Sequence, residues 1–116
     1  MKQMVNSKED MNISIADGIS RLQAYYAETA KRRGWDKETA KDTLLLLAEE
    51  LGELARAVRK HEGMNRDHAY NVELGEELAD VQLYLVHLAN QTGIDLGAAV
   101  IAKEVTNEAR FIQREG

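Results

Sequence analysis

"LLAEELGELARAVRK", residues 46–60, decides the fold class. With Leu44 just before it, the stretch repeats apolar residues at Leu47, Leu51, Leu54 and Val58, the spacing of one stripe on an α-helix at about 100° per residue. The 116-residue chain has no proline to interrupt such a helix, and almost no strand-like alternation of apolar and polar residues. The same stretch packs Glu49, Glu50 and Glu53 into five positions, an unusual density of negative charge beside an apolar stripe. On the wheel Glu49 points nearly opposite the stripe, whereas Glu50 and Glu53 sit on its flank.

Outward from this helix, predicted from about Lys37 to His61 with Asp36 as its cap, the pattern repeats. Upstream, Ile15, Ile19, Leu22, Tyr26 and Ala30 mark a helix that stops at Gly34. Downstream, "EGMNRDHAYN" (62–71) reads as the one substantial loop, and a third helix covers about Val72 to Gln91 with Leu74, Leu78, Val81, Leu85 and Leu88 as its stripe. Asp95 caps a fourth helix to about Gln113. Residues 1–12 read as a frayed, flexible tail ahead of one domain over 13–116. Four helices with short connections predict an all-α four-helix bundle, or half of a larger one completed by dimerisation.

Composition narrows the function. A net charge of −5 argues against a nucleic-acid polymer as partner, since such binding draws on a basic face. The absence of cysteine removes disulfides and thiolate metal sites and fits the cytoplasm. No apolar run reaches the roughly 18 residues of a membrane span.

The third helix carries a second acidic pair: in "GEELADVQLYLVHL" Glu77, Asp80 and Tyr84 line one flank together with Glu73. Carboxylates three residues apart are neighbours on a helix and repel. If the two helices pack side by side, Glu50, Glu53, Glu77 and Asp80 converge on one pocket, where protons or cations must neutralise them. An all-oxygen set selects magnesium or manganese over zinc or copper. Neither pair carries the ExxH pattern of a di-iron bundle. Taken alone, the acids also suit a solvated helix face, and the chain could then be a non-catalytic interaction module.

"EELGE" (49–53) followed by "EELAD" (76–80) resembles the EExxE…ExxD signature of the MazG-like nucleoside triphosphate pyrophosphohydrolases, the all-α NTP pyrophosphatase superfamily. The resemblance runs from about Ile15 to Arg110, including "RRGWD" and "DLGAAVIAKEVTNEARF". It implies a MazG-like bundle hydrolysing (d)NTP to (d)NMP and pyrophosphate as nucleotide-pool house-cleaning. Magnesium would be the cofactor, with manganese able to substitute. It further implies Glu50, Glu53, Glu77 and Asp80 as metal ligands, and Glu49 as the residue that orients or deprotonates the attacking water. Tyr84, Lys103 and Asn107 would contact the substrate's phosphates, and Trp35, which read alone is a core anchor at a helix junction, would stack on its base. Lys103, Asn107, Arg110 and Arg114 share a face of the fourth helix, but "RFIQ" departs from the family's usual ending there.

Lys31, Arg32 and Arg33 read as a solvated basic turn; His61 and His68 as surface or loop, and His87 as bordering the pocket at most. A single small bundle encloses little volume for a nucleotide, so a homodimer or homotetramer is expected. The nearest enzymatic alternative on the same scaffold is phosphoribosyl-ATP pyrophosphohydrolase.

Overall fold

The computed structural model describes residues 11–63 and 68–115. In chain order these form α1 (Ile19–Arg33), a short 3-10 turn (Trp35–Lys37), α2 (Ala40–Gly63), α3 (His68–Thr92) and α4 (Leu96–Glu115). No strand occurs among the described residues, so the all-α expectation holds. Residues 1–10 of the expected tail lie outside them.

The helix ends follow local chemistry. Gly34 adopts φ 81°, a left-handed conformation open to glycine, and its N–H reaches the carbonyls of Ala30 and Lys31 to close α1. Asp36 was the expected cap of α2, but it falls inside the 3-10 turn. Thr39 caps instead: the Asp42 N–H donates to Thr39 Oγ1 at 3.1 Å and the Thr39 N–H donates to Asp42 Oδ2 at 3.2 Å. Asp95 caps α4 as expected, accepting from the Ala98 N–H at 3.0 Å. The expected 62–71 loop is shorter than its sequence suggested, because α2 runs on through Gly63 and α3 begins at His68; residues 64–67 lie outside the described part. Ile15 stands fully exposed ahead of α1 rather than within it.

α2 and α3 form the main pairing and run antiparallel. Gln91 Nε2 donates to the Glu38 carbonyl at 2.9 Å at one end, and Lys60 pairs with Glu73 at 3.2 Å at the other. α1 packs across α3, burying Tyr26, Thr29 and Ala30 with Val86 and Ala89. The face α2 turns inward is Thr43, Leu47, Glu50, Leu54 and Ala57, which keeps Leu47 and Leu54 of the expected stripe but not its other members. Leu44, Leu51 and Val58 are 55, 50 and 40% exposed, and Leu78 and Leu85 on α3 are likewise left out. The inward face is rotated from the stripe toward Thr43 and Ala57, so Leu44, Leu51 and Val58 turn outward.

α4 leaves the bundle. Gln23 of α1 ties down its start: Gln23 Nε2 donates to Asn90 Oδ1 at 3.1 Å and to the Ile94 carbonyl at 2.9 Å, while Gln23 Oε1 accepts from the Leu96 N–H at 2.8 Å. Gly97 permits the crossing, since a Cβ there would meet Ser20 Oγ at 2.8 Å. Beyond it, every residue from 101 to 114 is exposed, Ile101 and Val105 by two thirds. The radius of gyration is 17.3 Å, against about 13 Å for a compact chain of this length. Among the described residues no helix is long and apolar enough to cross a membrane.

Candidate active site

Glu50 sits on the inward face of α2, opposite Glu77 and Asp80 of α3, and each offers an oxygen within 4.8 Å of the others. The spacing of three residues puts Glu77 and Asp80 on one edge of α3, as the wheel anticipated. Glu50 Oε2 and Glu77 Oε2 are buried, and neither has a hydrogen-bond partner among the described residues. Burial raises the Glu50 carboxyl to about 7, helped by the facing Glu77 carboxyl and by the charges of Asp80 and Glu53. Orphaned hard oxygens that resist ionisation together are what a divalent cation satisfies, so the residues present fit such an ion.

The acids stand at one end of a cavity of about 370 Å³. Tyr26, Trp35, Leu83 and Tyr84 give it apolar walls; Arg33, Glu38 and His87 add polar groups. Tyr26 packs 6.3 Å from Trp35 and 6.0 Å, edge-on, from His87 (ring centroids). The Arg33 guanidinium lies 5.0 Å from the Trp35 ring centre, within cation–π range. Burial holds the Tyr84 phenol above its ordinary value, reinforced by the carboxylates of Glu50, Asp80, Glu38 and Glu49. It therefore remains a hydrogen-bond donor at neutral pH.

Of the residues singled out in the sequence, the fold gathers Glu50, Glu77, Asp80, Tyr84 and Trp35 around this cavity or its acidic end. Glu53 is exposed and both its oxygens accept from Arg56 Nη2 at 3.1 Å, so it stands outside the close trio. Glu49 is exposed on the outer side of α2. Lys103 and Asn107 are exposed on α4 and do not line the cavity within one chain. Arg33, read as part of a solvated turn, lines the cavity instead. Glu38 escaped notice because its sequence position reads as the first turn of the second helix, whereas it lies in the link ahead of α2. His87, expected only at the border, is buried to 6% exposure; its sequence signal was a position seven residues after Asp80 on the same face.

Comparison with known proteins gives a consistent result. Residues 38–110 match the MazG nucleotide pyrophosphohydrolase domain. The chain is similar to dCTP pyrophosphatase 1 of Rattus norvegicus, 36% identical over 96 residues that cover 78% of this chain and 56% of that protein. The dCTP pyrophosphatase 1 of Homo sapiens is 34% identical over 96 residues, with 78% and 56% covered. The chain thus spans little more than half the length of these relatives.

Proposed function

From the premise that the chain belongs to the MazG nucleotide pyrophosphohydrolase domain family, we propose that it hydrolyses a (d)NTP to the (d)NMP and pyrophosphate in nucleotide-pool clean-up. The observation that carries the reading is the trio Glu50, Glu77 and Asp80, with two buried orphan oxygens, at one end of an aromatic-walled cavity. The dCTP pyrophosphatases among its relatives support a pyrimidine deoxynucleotide as one substrate to test first.

Magnesium, with manganese able to substitute, would be held by Glu50, Glu77 and Asp80, with Glu53 completing the set once it leaves Arg56. The ion supplies charge neutralisation on the phosphates and makes a water more acidic. The other roles fall to the chain's own side chains. Glu49, beside Glu50 and within electrostatic reach of Tyr84, orients the attacking water or takes its proton. Tyr84 donates its phenol proton to a phosphate oxygen. Trp35 and Tyr26 hold the base, and the walls they form exclude water from it. Lys103 and Asn107 bind phosphate from a second copy of the chain, since α4 projects away from its own cavity. The functional unit is accordingly a homodimer, alone or paired into a tetramer.

A panel of nucleoside triphosphates with magnesium, scored by pyrophosphate release, tests the reaction. Pyrophosphate and the monophosphate are the expected products. Release of orthophosphate alone would overturn it.

A further inference from the structure

The row of unpartnered polar atoms on α3 does not stop at the acids. Beyond Glu77 Oε2 on the same face come both ring nitrogens of His87 and the side-chain oxygen of Gln91, all buried and without a partner among the described residues. On α2 the fully buried Thr43 hydroxyl is also unpartnered. The antiparallel register that sets Glu50 by Glu77 and Glu38 by Gln91 brings Thr43 to the level of His87. An imidazole with two orphan nitrogens is a costly occupant for a site beside Leu83 and Val86, where an aliphatic side chain would fill the space without penalty. His87 nevertheless lines the cavity, held edge-on by Tyr26.

Its position gives that cost a use. Seven residues separate His87 from Asp80, two helical turns or about 10 Å along α3. A nucleotide with its phosphates at the carboxylates and its base against the cavity wall of Trp35 and Tyr26 would bring the polar edge of the base to that level. We propose that His87 reads the nucleobase: one ring nitrogen hydrogen-bonds a polar group on the base edge, and this contact selects among bases. The inference rests on the pyrophosphohydrolase reading and adds a specificity-determining residue to it. A neutral imidazole carries one donor and one acceptor, so it can match an amino group, a carbonyl or a ring nitrogen, but not an apolar edge. A site that hydrogen-bonds its substrate rejects analogues lacking the group far better than an apolar pocket rejects an added one.

The test compares pyrophosphate release from the four common deoxynucleoside triphosphates by the wild-type chain, His87→Phe and His87→Gln, with thermal unfolding as the folding check. In His87→Phe the ratio of kcat/KM between best and worst base should fall roughly tenfold to a hundredfold, chiefly through KM of the best substrate. His87→Gln, which keeps a donor and an acceptor, should retain part of the preference. A second measurement needs no variant: the wild-type chain should use a triphosphate bearing an apolar shape-mimic of its preferred base less well than the natural substrate, by a similar factor. Unchanged discrimination in folded His87→Phe, or equal use of the mimic, overturns the proposal while leaving the reaction intact. No pyrophosphate from any nucleotide with the wild-type chain would instead overturn the reaction on which it rests.

Discussion

Glu50 of α2 and Glu77 of α3 confront one another between the paired helices, each with one oxygen buried and unpartnered. In the unfolded chain a glutamate gives up its proton near 4.5, whereas folded Glu50 holds it to about 7. Between those values the folded state binds more protons than the unfolded one, so metal-free stability falls as pH rises. The stabilising contribution is complete below 4.5 and is lost as pH passes about 7. Melting curves in chelator should therefore drop from pH 5 to pH 8. Glu50→Gln should flatten that segment and raise the pH 8 midpoint by a few degrees, the order expected for about 1 kcal/mol. A wild-type midpoint that climbs over this range would contradict the arrangement.

Cation binding should reverse the penalty. At pH 8, magnesium at about a hundred times its Kd stabilises a folded protein by about 2.7 kcal/mol. Glu77→Gln and Asp80→Asn are expected to remove most of the resulting rise in melting temperature. Glu53→Gln should remove less, because Glu53 begins engaged with Arg56. Isothermal titration with manganese would give the same order, and equal losses in all three variants would place Glu53 in the resting trio.

Much of this arrangement was legible in the sequence, and the misses share a cause. Apolar periodicity located all four helices, and glycine and aspartate chemistry located the end of α1 and the start of α4. The wheel put Glu50, Glu77 and Asp80 beside the core face because a three-residue step fixes their relative direction whatever the packing. It centred the buried seam too far toward the leucines, however, because hydrophobicity ranks leucine above threonine and alanine; Leu47 and Leu54 belong to both faces. Thr43 and Ala57 are buried with Leu47, while Leu44 and Leu51 are exposed. Arg33 and Glu38 were hidden for another reason: they reach the cavity from the last residue of α1 and from the link ahead of α2, and the path of the chain between the two helices is not recorded by any periodicity.

Gln23 joins α1 to the end of α3 and the start of α4 through three side-chain hydrogen bonds. Its own carbonyl also accepts from Asn90 Nδ2 at 3.1 Å. Gln23→Leu keeps much of the side-chain volume but strands the Leu96 N–H, the Ile94 carbonyl and Asn90 Oδ1, while Asn90 Nδ2 keeps the main-chain carbonyl. A loss of roughly 2–3 kcal/mol in denaturant unfolding is expected. The magnesium-induced shift should persist, since the acids lie elsewhere. A loss below about 0.5 kcal/mol would mean that other contacts anchor α4.

α4 presents Ile101, Val105 and Ile112 to solvent along one side, and Lys103, Asn107 and Arg110 along another. Covering the first side with a second chain would deliver the second to a neighbouring cavity. Ile101→Asp is expected to shift the sedimenting species from dimer or tetramer toward monomer and to lower pyrophosphate release at least tenfold. Shared sites have a sharper signature. Asp80→Asn and Lys103→Ala chains, each nearly inactive alone, should regain roughly a quarter of wild-type activity when mixed and allowed to exchange, because half the dimers are mixed and each mixed dimer holds one intact site. If Lys103 served the cavity of its own chain, no mixed dimer would contain an intact site and mixing would recover nothing.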